Sequence, residues 1–187
     1  MEPTQIREIA RAEYFSGANE PTITIKKNKV RFSTRCLRML QNVDYVQFVM
    51  CSAEKRLVIE PCLPEARSAI RWSSSNMEAR KPKAITCKEY YRRLRALMGW
   101  NEDCRYTVLG RMISDDSTTV IVFDLTSALI YRPVENEKIS HDPEYPAEWG
   151  NGFGMSVEEQ YSNPLIKRFL EDTVLCLTRT GDNEVRL

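Results

Sequence analysis

Apolar and polar residues alternate clearly from Thr22 onward, and their period places most elements before any other property is needed. Thr22-Ile23-Thr24-Ile25 and Val30-Arg31-Phe32 carry period two on either side of Lys27-Asn28, which predicts a β-hairpin. Ser33 is placed to cap a short helix bearing Leu37 and Leu40. Val43 to Cys51 reads as the next strand, 52–56 as a charged turn, and Leu57-Val58-Ile59 as a further strand stopped by Pro61 and Pro64. Ala69 to Trp72 is a short apolar piece, followed by a polar loop over 73–83. Thr86 and Glu89 have the spacing of a capping box and Gly99 that of a helix stop, so Cys87 to Met98 is a predicted helix. Tyr90, Leu94, Leu97 and Met98 share one of its faces, with Cys87 and Tyr91 alongside. Two strands follow, Arg105 to Ile113 and Thr118 to Leu125, joined by a polar turn. Thr126 to Tyr131 fits strand and helix equally.

The two ends read differently. Thr4 to Phe15 has the spacing of an amphipathic helix capped by Thr4, with Ile6, Ile9 and Ala10 toward one side, and 16–21 reads as a linker. Residues 133–149 form an acidic, proline-bearing loop, and Ser156 with Glu159 is placed to open a last helix that Pro164 divides from Leu165 to Asp172. The expected fold class is α+β: an antiparallel β-rich body with a few short helices and an irregular acidic C-terminal part. Three regions follow, a helical arm and linker at 1–20, a basic α+β core at 21–132, and an acidic loop with a C-terminal helical region at 133–187.

Composition narrows the class. Hydrophobic residues make up 42% and charged residues 28% of 187 positions, which suits a folded chain rather than a disordered one. No apolar run approaches the roughly 18 residues of a membrane span, and the N-terminus lacks the apolar stretch of a signal peptide. A cytoplasmic protein with no membrane partner is expected. Net charge is +1, but residues 1–112 hold 21 Lys and Arg against 12 Asp and Glu, a net of +9, while 113–187 hold 6 against 14, a net of −8. Such a split points either to nucleic-acid contact on one side and an acidic interaction surface on the other, or to two oppositely charged faces of one domain that attract each other.

Catalysis finds no support in the residues. His141 is the single histidine and sits in the acidic loop, away from any serine or cysteine nucleophile pattern. Cys36, Cys51, Cys62, Cys87, Cys104 and Cys176 are scattered without the close ligand pairs of a zinc site, and read as reduced structural thiols. Asp115, Asp116 and Asp124 lie near strand ends and leave a metal-dependent nuclease as a third reading, although aspartate in such a turn is favoured for backbone reasons. The glycines from Gly150 to Gly154 form a tight loop, with no lysine to close a phosphate cradle. A non-enzymatic chain needing no cofactor or metal is expected.

Binding chemistry has clearer candidates. Lys88, Arg92 and Arg95 form a stripe on the predicted helix, spaced for one face, that suits an anionic partner or a solvated face. The preceding loop adds Arg71, Arg80, Lys81 and Lys83, with Trp72 beside Arg71 as a base-stacking or core residue. A second basic group, Lys26, Lys27, Lys29, Arg31, Arg35 and Arg38, crosses the first hairpin and the short helix. Glu135, Glu137, Asp142, Glu144 and Glu148 are the acidic candidates for a protein partner.

Two resemblances add to this reading. The segment KVRFSTRCLRMLQNVDYVQFVMCSAEKRLVIEP resembles the strand–short helix–strand–strand order of AbrB-type swapped-hairpin DNA-binding domains. That likeness implies a dimeric transcriptional regulator binding double-stranded DNA. The ordered blocks TITIKKNKVRFSTRCLRML, AIRW, KPKAITCKEYYRRLRALMGW, CRYTVLG and YPAEWGNGFG resemble small mobile-element proteins of Clostridia similar to a type II-A anti-CRISPR family. This second likeness implies a bacterial host cytoplasm and an inhibitor of a Cas9-type CRISPR effector. The partner would then be the effector protein with its guide RNA, target DNA or both.

Overall fold

The computed structural model describes residues 8–10, 20–74, 80–114, 118–134 and 138–156. In chain order the elements are β1 (Glu8–Ala10), β2 (Thr22–Lys26), β3 (Lys29–Phe32), α1 (Thr34–Met39), β4 (Tyr45–Cys51), β5 (Arg56–Pro61), β6 (Ile70–Arg71), β7 (Ile85–Thr86), α2 (Lys88–Met98), β8 (Arg105–Ser114), β9 (Thr119–Asp124), β10 (Leu129–Tyr131) and β11 (Gly154–Ser156). The chain divides into two compact units, Asn19–Pro146 and a second one made of Met1–Ala18 with Ala147–Leu187. No helix among the described residues is long and apolar enough to cross a membrane.

In the larger unit every strand pairing is antiparallel, in the order β6-β4-β5-β9-β8-β2-β3-β7, with β10 also on β8. The expected β-rich α+β class is observed. β8 has ten residues and serves two half-sheets. Its first half pairs with β2 and β10, and Gly110 to Ser114 pair with β9. Ile23, Ile25, Val30, Phe32, Tyr106, Val108, Ile121, Phe123, Leu57 and Ile59 project from the inner face into one core. Cys36, Leu37 and Leu40, from α1 and its C-cap, and Tyr91 and Leu94 from α2 close that core.

Phe32 shows how far the sheet curls. It lies five strands from β4 in the sheet order, which in a flat sheet means about 24 Å of separation. Its ring nevertheless meets Phe48 of β4 edge-on at 5.7 Å, Trp72 at 5.3 Å and Phe123 at 6.1 Å. The inner face is therefore concave and filled by aromatic rings, and the outer face is convex. Gly110 makes the bend possible: a β-carbon there would lie 2.5 Å from Cε1 of Phe123, so the ring occupies the space a side chain would fill. The two halves also differ outside. Val58, Val120 and Val122 are buried on the other face of the β4-β5-β9 half, where Gln47 and Glu60 also pair across β4 and β5. The β7-β3-β2-β8-β10 half carries mostly polar residues outward, with Leu109 and Leu129 among them.

Four local expectations are corrected. Glu8–Ala10 is a strand, paired with Gly154–Ser156, rather than part of a helix. The ladder to a distant segment supplies backbone hydrogen bonds that outweigh weak helix spacing. The same ladder makes Ser156 the end of a strand; the expected helix beyond it lies outside the described residues. Ser33 does precede α1, but its hydroxyl accepts from the Thr22 backbone N–H at 3.0 Å and makes no cap bond. The expected capping box of α2 does not form either, because Thr86 is taken up in β7, opposite Lys29, and Glu89 reaches forward along the helix. Gly99 does stop α2, at φ 67°.

Candidate nucleic-acid interface

The helix stripe has two carboxylates beside its cations. Lys88 and Arg92 are exposed on α2, yet Arg92 donates two hydrogen bonds to Glu89, at 3.0 and 2.8 Å, and Arg93 donates a third at 3.1 Å. These bonds hold the Glu89 carboxyl at about 2, so it is an anion throughout the neutral range. Arg95 donates to Glu102 at 2.6 Å, and Lys27 meets the other oxygen of that carboxylate at 2.9 Å. Hydrogen bonds from Lys27 and Arg95 hold the Glu102 carboxyl below its ordinary range. Two carboxylates thus interleave the expected stripe. Each exposed pair contributes little to stability, but it lowers the field offered to an anion.

The loop cations turn partly inward. Trp72 has no exposed surface and its indole N–H donates to the Val43 carbonyl at 2.8 Å, so it is a core residue and not a stacking platform. Arg80 is only 18% exposed and pairs with Asp44 at 3.0 Å while also donating to the Val43 carbonyl. A hydrogen bond from Ser73, then Arg80 itself, holds the Asp44 carboxyl below its usual range. Arg80 therefore clamps the 73–83 loop to the start of β4. Arg71 stands opposite Tyr45 in the β4–β6 ladder, half-buried, 6.0 Å from the ring centroid. Lys81 and Lys83 remain exposed.

A different group of cations lies together without any carboxylate among it. Alternation puts Thr22, Thr24 and Lys26 of β2, Lys29 and Arg31 of β3, and Arg105, Thr107 and Leu109 of β8 on the outer face. Register then assembles two rows across the strands. One runs Arg31, Thr24, Thr107, Leu129; the other runs Thr86, Lys29, Lys26, with Arg105 one position beyond the Ile25–Tyr106 pair, and Tyr131. Lys26, Lys29 and Arg31 are exposed, and the Arg105 guanidinium carbon sits 4.1 Å from the Tyr131 ring centroid. No aspartate or glutamate occupies an outer position of these strands. Threonine hydroxyls fill the gaps between the charges, and they both donate and accept.

Sequence reasoning reached Lys29 and Arg31 and placed Lys26 among the basic residues, but it missed Arg105 and Tyr131. The missing signal was strand parity: Arg105 has the outward phase of β8, and only the ladder to β10 reveals Tyr131 beside it. Of the acidic candidates, Asp142 and Glu144 are described in the larger unit. Glu135 and Glu137 lie outside the described residues. Asp142 is exposed in the larger unit, as is Glu144, whose carboxylate receives both Arg132 Nε and Nη2 and is held below its ordinary range by that bond. Glu148 belongs to the second unit, in a 3-10 turn over Ala147–Asn151.

His141 is exposed, Asp124 caps a 3-10 turn by accepting from the Thr126 N–H at 3.0 Å, and no group of three His, Cys, Asp or Glu among the described residues gathers as for a metal. Asp115 and Asp116 lie outside the described residues. No disulfide joins cysteines among the described residues; Cys36 is buried, which pushes its thiol up, and it donates to the Thr22 carbonyl at 3.4 Å. No protein-family model, curated protein or solved structure matches the chain.

Proposed function

We propose that this chain is a non-enzymatic binding protein that inhibits a CRISPR effector nuclease of the Cas9 type by engaging its bound nucleic acid and the effector itself. The observation that carries the reading is the outer face of β2, β3 and β8, which presents Lys26, Lys29, Arg31 and Arg105 with no carboxylate among them. Phosphate is the chemistry such a face recognises, and released counterions supply the affinity. The resemblance in block order to mobile-element proteins similar to an anti-CRISPR family directs that chemistry to an effector, which holds guide RNA and target DNA in one complex. A DNA-binding regulator is the second reading, favoured by the β3-α1-β4-β5 order. Against an intertwined dimer, β5 already has β4 on one edge and β9 on the other within the chain, and β6 takes up the Tyr45–Val46 end of β4's outer edge.

Suppression of target cleavage by a guide-loaded effector tests the two readings directly. An inhibitor acts at near-stoichiometric ratio and keeps much of its effect in excess unrelated duplex, since part of the contact is to protein. Protection that scales with DNA coverage and vanishes on adding competitor supports the regulator instead. Absence of any suppression removes the inhibitor reading.

A further inference from the structure

We infer that the outer face of β7-β3-β2-β8-β10 binds a single strand of nucleic acid in preference to a duplex. The inference rests on the nucleic-acid reading above and names the form of ligand it takes. Curvature is the first argument. Phe32 meets Phe48 across the inner face, so the outer face is convex, and a convex sheet touches a rigid duplex only along a narrow line. A flexible single strand can follow the curve and lie along both rows. The second argument is the Arg105–Tyr131 pair. With its carbon 4.1 Å from the ring centroid, the guanidinium of half-buried Arg105 is held against the tyrosine by cation–π attraction, and a base stacked on the pair would extend it. Bases of a duplex are stacked on each other and cannot use such a platform, whereas those of a single strand can. The third is spacing. Lys29 and Lys26 are direct ladder partners, and Arg105 takes the next strand, so three cations cross the sheet at about 4.8 Å per strand in line with the platform. Thr24, Thr86 and Thr107 add hydroxyls beside them, which suits backbone oxygens and carries no sequence code.

Fluorescence anisotropy with the full chain tests this, using labelled oligonucleotides of about 12 residues, oligo-U and oligo-dT as single strands and a mixed-sequence DNA duplex of equal length. The single strands are expected to bind more tightly, and RNA against DNA reports which sugar the face prefers. Removing three charges with Lys26→Gln, Lys29→Gln and Arg31→Gln is expected to flatten the log–log salt slope by about 2 on a single strand, against about 2.7 on a duplex. Arg105→Lys keeps the charge and loses the plane; it is expected to leave the slope unchanged and weaken single-strand binding by at least about 5-fold. Thermal melts establish that each variant is folded, and the three glutamine substitutions fall at exposed positions. Duplex binding equal to or tighter than single-strand binding overturns the inference, as does an Arg105→Lys variant of unchanged affinity. In either case, a flattened slope in the triple variant leaves the basic-face reading intact. Absence of binding to every probe at low salt overturns both.

Discussion

Replacing Gly110 by alanine sets two physical rules against each other. Glycine weakens a strand, so propensity alone expects Gly110→Ala to stabilise the protein by about 0.5–1 kcal/mol. Packing expects the opposite. The new methyl would lie 2.5 and 2.8 Å from two carbons of the Phe123 ring and 3.0 Å from Cγ2 of Ile121, where carbon atoms normally rest about 3.5–4.0 Å apart. Phe123 has no exposed surface and leans on Phe32, which is wedged in turn against Trp72 and Phe48, so the ring cannot swing away without moving three others. Overpacking of this kind costs about 1–3 kcal/mol. The net expectation is a loss of about 1–2 kcal/mol, or roughly 2–8 °C in Tm for a chain of this size. Urea unfolding followed by circular dichroism measures it. Adding Phe123→Leu should relieve the overlap, so the double variant should be less destabilised than the sum of the singles by about 1 kcal/mol. A Gly110→Ala protein as stable as the parent, or strict additivity with Phe123→Leu, would refute the claim that the ring occupies the side-chain space of Gly110.

Two further outcomes separate surface charge from structural charge. Lys88→Gln, Arg92→Gln and Arg95→Gln together should flatten the salt slope for nucleic acid by less than the Lys26, Lys29 and Arg31 set does, because Glu89 and Glu102 already engage Arg92 and Arg95. Anisotropy titrations over a salt series decide this, and an equal or larger change for the helix set would make α2 the main contact. Asp44 has a folded carboxyl held low by Ser73 and Arg80, so its contribution to stability is present above the unfolded value of about 3.9 and is lost as pH falls through the folded one. Asp44→Asn should therefore lose stability near neutral pH and show a shallower acid limb below about pH 4 in urea unfolding.

Local pattern carried much of this fold. The hairpin β2–β3, the strands β4, β5, β8 and β9, the helix α2 and its Gly99 stop were legible because each is set by side-chain period or by a backbone conformation that one residue type favours. The candidate face was legible only in part. Lys26, Lys29 and Arg31 fall on one side of a hairpin whose register is local, so their proximity follows from the alternation itself. Arg105 and Tyr131 are separated in sequence and meet through the β8–β10 ladder, which no local period announces. Tertiary packing also decided which cations are spent on structure. Arg80 and Trp72 look like a phosphate clamp and a stacking ring in sequence, yet the Val43 carbonyl and the Asp44 carboxylate claim them once β4 is in place. Thr86 could cap α2 until β3 offered it a ladder, and Glu8–Ala10 could be helical until Gly154–Ser156 lay beside it. A strand's alternation is written in neighbouring residues, whereas a partner contributed from far along the chain is chosen by the free energy of the whole fold, and that choice fixed where the open charges of this protein lie.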